Sequence, residues 1–217
     1  FLMSDDEMHR KAVAQLGAKD LDVIDEDLQT AGFQLGWGFK EMLHDISEKG
    51  LPEIERRIEA SLGRPLASAE RAALESSVSP EMIAATASRW FPNLAAEVAS
   101  HRAGNSPKAA FMDLDDMEDR LSPDPAQLGK GWVRTDADLT LGYQPSGHSD
   151  DFMTLWLSLA RDASKGGAPH AANRMFASLA GNREKVAAGR CMKCHTAGAH
   201  TVSPVNWRAK RPDPHVH

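Results

Sequence analysis

From Leu21 onward the apolar residues recur at steps of three and four: Leu21, Ile24, Leu28, Ala31 and Leu35. That spacing draws one apolar stripe along an α-helix and none along a strand. The stripe then passes into a denser run, Phe33, Trp37, Phe39, Met42, Leu43 and Ile46, with Gly36 and Gly38 on either side of the indole. The two glycines allow a kink or the close approach of a second helix. Gly50, with Pro52 behind it, stops the helix.

The same grammar continues to residue 101. Asp5 to Leu16 forms a short helix ended near Gly17. Ile54, Ile58 and Leu62 mark another, with Gly63 as its terminator. The next follows Ser68 and carries Ala72, Ala73 and Leu74. Ser79-Pro80-Glu81 is a helix start, with serine as N-cap, proline at the first helical position and an acid in the first turn. Met82, Ile83, Thr86 and Trp90 then share one face until Pro92, and Asn93 to His101 makes a further helix. Stripes of this kind read as core, and the apolar fraction of 41% over 217 residues suffices for one. Two dense acidic groups, Asp22, Asp25, Glu26 and Asp27, then Asp113, Asp115, Asp116, Glu118 and Asp119, lack EF-hand spacing and read as solvated faces. No internal repeat is present, which excludes a solenoid.

The segment Ser122-Pro123-Asp124-Pro125, running on to Gly129 and Gly131, is the natural boundary. It divides the chain into a helical region, 1–121, a linker, 122–131, and a C-terminal region, 132–217. Trp132 and Val133, followed by Leu139, Leu141 and Tyr143 in alternation with polar or small residues, predict a short hairpin, the one strand signal in the chain. Gln144 to His148 is a turn, Ser149 or Asp150 caps the next helix, and Phe152, Leu155, Trp156 and Leu159 fill its inner face until Gly166 and Gly167. Ala168 to Leu179 reads as another helix, and a last one begins near Asn182. The expected fold is mainly α: a multi-helix orthogonal or bundle-like array with a short hairpin before the C-terminal helices.

The net charge of -6 and pI near 5.8 argue against sequence-independent nucleic-acid binding, which needs a cationic face, and suit a basic protein partner. No apolar run reaches membrane-spanning length. Phe1 to Asp6 carries no leader pattern, so the chain reads as mature or excised.

Chemistry is concentrated in Cys191-Met192-Lys193-Cys194-His195, which uses both cysteines of the chain. Cys-x-x-Cys-His is the attachment pattern for c-type haem. On a helix, residues three and four apart share a face, so both sulfurs and the imidazole project together while Met192 and Lys193 point elsewhere. Gly189 lets a backbone approach a ring closely, and Arg190 can reach toward a propionate. A disulfide between the two cysteines is a rival reading, though no strand-helix-strand pattern surrounds it. Zinc held by Cys191, Cys194, His195 and His200 is another; adjacent Cys194 and His195 would both have to turn toward one small ion. Chance is the third.

Cys191, Cys194 and His195 resemble the haem-binding motif of the c-type cytochromes, over five residues of 217. The resemblance implies one covalent haem c, thioether bonds to Cys191 and Cys194, His195 as proximal ligand, a periplasmic or extracellular address, and a redox partner protein. The motif lies near the C-terminus and no methionine follows it, unlike the small soluble cytochromes that resemble mitochondrial cytochrome c. In this it is more similar to the cytochrome c prime group of four-helix bundles, but the chain is much longer.

Reactivity then turns on the sixth ligand: two firm axial ligands make an electron-transfer centre, and an open position admits gases or chemistry. His148, His170, His200, His215, Met153 and Met175 are the candidates. His148 leads, because a Gly- and Pro-bounded loop presents its imidazole and Asp150 or Asp151 stands near enough to orient the ring's other nitrogen. His170 comes second, while Met175, beside Phe176 and Leu179, reads as core. Trp207, Arg208, Lys210 and Arg211 make a basic tail, and His215 and His217 fit ligands of a larger multihaem protein. The expected activity is one-electron transfer by a carrier rather than an enzyme. A haem-based redox or gas sensor is the alternative, an oxidoreductase or peroxidase the third, and homo-oligomerisation stays open.

Overall fold

The computed structural model describes residues 26–105, 124–137, 139–147 and 150–164. Within them lie six α-helices and three strands: α1 (Glu26–Lys49), α2 (Leu51–Leu62), α3 (Ser68–Ser77), α4 (Pro80–Trp90), α5 (Leu94–Arg102), β1 (Ala126–Gly129), β2 (Trp132–Thr135), β3 (Thr140–Tyr143) and α6 (Asp151–Ser164). The chain divides into two compact units, Phe1–Leu155 and Trp156–His217. Among the described residues no helix is long and apolar enough to cross a membrane.

In the first unit α1 is the hub, packed against α2, α4 and α5. Ala31, Trp37, Leu43 and Ile46 are buried along it, and the helix runs unbroken through Gly36 and Gly38. Gly50 ends it at a φ of 68°, and Pro52 sits in the first turn of α2, where a missing N–H costs nothing. Ile54 and Ile58 face inward from α2, each contributing about 1.5–3 kcal/mol through removal from water. Gly63 closes α2 in the left-handed conformation, its N–H donating to Glu59 O at 2.9 Å. The Glu70 carboxylate accepts the Ala67 N–H at 2.8 Å at the start of α3. At α4 the Ser79 hydroxyl accepts the Met82 N–H at 3.2 Å, the cap expected from Ser-Pro-Glu. Ile83, Ala87 and Trp90 are its buried face.

The strands form one antiparallel sheet in the order β1-β2-β3. The expected hairpin is β2-β3, with Val133 opposite Gly142. β1 adds a third strand from residues assigned to the linker: Ala126 pairs with Arg134 and Gln127 with Val133, with a bulge before Gly129. Gln127 and Gly129 are exposed, so a four-residue edge strand of this kind carries no alternating apolar signature.

Gly129, Lys130 and Gly131 all have positive φ, 90°, 47° and 83°, which folds the β1-β2 tip tightly. A Cβ on Gly131 would lie 2.5 Å from Gln144 O. The tip crosses the end of α3: Lys130 Nζ donates to Ser76 O and the Trp132 indole N–H to Ser77 O, both at 2.8 Å. A cation on the last carbonyls of a helix also meets its negative dipole end. Trp132, Tyr143 and Phe152 then join the sheet to the start of α6, with ring centroids 4.5–5.2 Å apart.

In the second unit, described residues 156–164 are the last turns of α6, with Leu157, Leu159 and Ala160 buried.

Candidate functional site

Cys191, Cys194 and His195 lie outside the described residues, as do His170, Met175, His200 and His215. His148 does too, between Gly147 and Asp150. Among the described residues no group of three or more His, Cys, Asp or Glu side chains could hold a metal ion.

The flanks of the His148 loop are described, and Asp150 organises them. Its carboxylate accepts the Ser146 N–H and hydroxyl, at 3.0 and 2.9 Å, and the Tyr143 phenol at 2.9 Å. It also accepts the Met153 N–H at 3.1 Å, making it the N-cap of α6. Burial pushes the Asp150 carboxyl up, but the donors from Ser146, Met153 and Tyr143 outweigh it and hold the pKa at about 2. Burial and donation to that carboxylate push the Tyr143 phenol up to about 12. Four donors use the roughly four lone-pair sites of a carboxylate. Asp150 is therefore committed to the turn and the helix cap, while Asp151 is exposed. Met153 sits half-buried on α6.

Three further clusters were not legible in the sequence. Lys40, 4% exposed, continues the buried row of Trp37, Leu43 and Ile46; its ammonium donates to Glu97 at 2.6 Å. It lies 5.2 Å from the Trp37 ring centroid and 4.8 Å from that of Phe91. His101 stacks flat on Trp37 with centroids 4.1 Å apart. Asp136, in the β2-β3 turn, accepts from Arg89 Nε at 2.7 Å and Trp90 Nε1 at 2.8 Å, and pairs with Arg134. Buried Glu53 holds Arg56 and Arg57, and Arg57 reaches on to Asp45, which also pairs with Arg102. Each cluster is a closed ion-pair arrangement that fixes helices to one another. The one sequence clue was a charged residue at a core register position, Lys40, and nothing local distinguishes it from a solvated lysine.

No protein-family model, curated protein or solved structure matches this chain.

Proposed function

We propose that the chain is an extracytoplasmic c-type cytochrome that passes single electrons to and from a redox partner protein. The observation that carries this reading is chemical: the only two cysteines of 217 residues fall at 191 and 194, with histidine at 195. That donor set fits covalent haem c, with thioethers at Cys191 and Cys194 and the imidazole of His195 on the iron. When bound, the group supplies a one-electron couple. The chain's own residues set its access and ligation, with His148 as the proposed distal ligand.

The test is a set of absorption spectra on protein matured with haem-attachment machinery, oxidised and reduced, with and without carbon monoxide. A haem band that survives denaturation and is lost in Cys191→Ala/Cys194→Ala supports covalent attachment. A low-spin spectrum indifferent to carbon monoxide supports two firm ligands, and His148→Ala should then convert it to high spin. A high-spin spectrum that shifts with the gas overturns the distal ligand and electron-carrier assignments. Absence of any haem band overturns the whole reading.

A further inference from the structure

Tyr143 is the single tyrosine of the 217 residues, and its phenol donates to the Asp150 carboxylate, with Oη 2.9 Å from both oxygens. Asp150 is 9% exposed, and the Ser146 and Met153 N–H groups hold it in place. The phenol ring is half-buried against Trp132 and Phe152, with ring centroids 5.2 and 4.5 Å away.

We infer that Tyr143 and Asp150 form a reversible, proton-coupled one-electron oxidation site. A high-potential one-electron oxidant takes an electron from the phenol while the phenolic proton passes from Oη to the Asp150 carboxylate. The O–H bond of the phenol breaks and an O–H bond forms on Asp150. The products are a neutral tyrosyl radical, a neutral carboxylic acid and an oxidant reduced by one electron. Re-reduction returns the electron and the proton to the phenol.

Two properties of the pair enforce the coupling. The phenol does not ionise first, because burial and the carboxylate push it up to about 12. Once an electron has left, a phenol is a far stronger acid than any carboxylic acid, so even an anion held at about 2 accepts its proton. The acceptor is already within hydrogen-bond reach, so no base has to arrive from solvent. Asp150 and Asp151 both act on the phenol as negative charges, which favours removal of an electron there. The described tryptophans of the first unit are placed less well. Trp37 has the Lys40 ammonium 5.2 Å from its ring centroid, and a cation beside a ring opposes loss of an electron. Trp90 gives its N–H to Asp136, but the Arg89 and Arg134 guanidinium groups pair with that same anion. Trp132 donates to Ser77 O, a backbone carbonyl that retains no proton at neutral pH. The inference stands on residues of the first unit and does not use the haem.

The full-length chain, oxidised beforehand so that any haem iron is ferric, is flashed with tris(bipyridine)ruthenium(II) and a cobalt(III) ammine as terminal electron acceptor. The ruthenium(III) formed is the oxidant, and samples are frozen for electron paramagnetic resonance. The expected signal is a tyrosyl radical that narrows in protein carrying ring-deuterated tyrosine and disappears in Tyr143→Phe. Its rate of formation is read from the return of ruthenium(II), less the Tyr143→Phe background. That rate should change by less than about two-fold between about pH 5 and 9, ignore buffer concentration and fall about two-fold in deuterium oxide. Asp150→Asn, which keeps an acceptor for the turn but takes no proton, should cut the radical yield several-fold. If that variant does not fold, the buffer and isotope readings on the unaltered chain decide the matter. A radical that ring-deuterated tyrosine leaves unchanged resides on tryptophan and overturns the inference. A tyrosyl rate that climbs with pH or with buffer base overturns Asp150 as the proton acceptor, and the inference with it.

Discussion

Trp90 donates its indole N–H to Asp136 at 2.8 Å across 46 residues of chain, tying the end of α4 to the β2-β3 turn. The same carboxylate takes the Arg89 and Arg134 guanidinium groups, so one buried anion satisfies three donors from two elements. Removing it strands an indole N–H and a half-buried Arg134. Asp136→Ala should lower unfolding stability by about 3 kcal/mol, and Asp136→Asn, which keeps one acceptor, by about half as much. Urea denaturation followed by tryptophan fluorescence measures both.

Lys40 and Glu97 form an asymmetric pair, with side chains 4% and 35% exposed. Truncating the glutamate takes the carboxylate away from a buried ammonium, whereas removing the lysine leaves a carboxylate that water reaches. Glu97→Ala should therefore cost about 2 kcal/mol and Lys40→Met under about 1 kcal/mol. Equal costs in thermal unfolding would contradict the burial argument.

The Asp150 turn makes stability depend on pH at both ends. Its carboxyl is lowered from 3.8 to about 2, so its contribution is full above the unfolded value and is lost as pH falls through about 4 toward 2. Tyr143 is raised from 10.0 to about 12, so its contribution is full below pH 10 and is lost as pH climbs toward 12. Asp150→Asn should remove about 2 kcal/mol near neutrality and flatten the acid limb. Asp136 shares that limb: burial raises its carboxyl, and Arg89, Trp90 and Arg134 together lower it. Unfolding free energies across the acid range separate the two variants.

The β1-β2 tip offers a paired comparison. Gly129 and Gly131 both have positive φ, but only at Gly131 would a Cβ meet neighbouring atoms, Gln144 O at 2.5 Å and the Tyr143 ring at 3.0 Å. Gly129→Ala should cost about 1 kcal/mol and Gly131→Ala at least about twice that. Denaturant midpoints report the difference.

The helix boundaries were legible because their signals are local. Gly50 with Pro52, Gly63, and Ser79-Pro80 each act on the backbone within one turn; α2 begins and ends, and α4 begins, where those residues stand. The haem proposal rests on a local pattern as well, the five-residue spacing of Cys191, Cys194 and His195. Lys40 was not legible: its place in a buried row depends on Glu97, Phe91 and Trp37 converging from α1, α5 and the α4-α5 turn. β1 was not legible because its order comes from hydrogen bonds lent by β2 rather than from its own side chains. Asp150, readable as a helix cap, was not readable as saturated until Tyr143 and Ser146 folded onto it. The sequence by itself determined where α2 starts and stops and where α4 starts, and it alone carries the haem proposal. Only the tertiary structure decided which charges are buried, because burying a charge takes partners brought from distant parts of the chain.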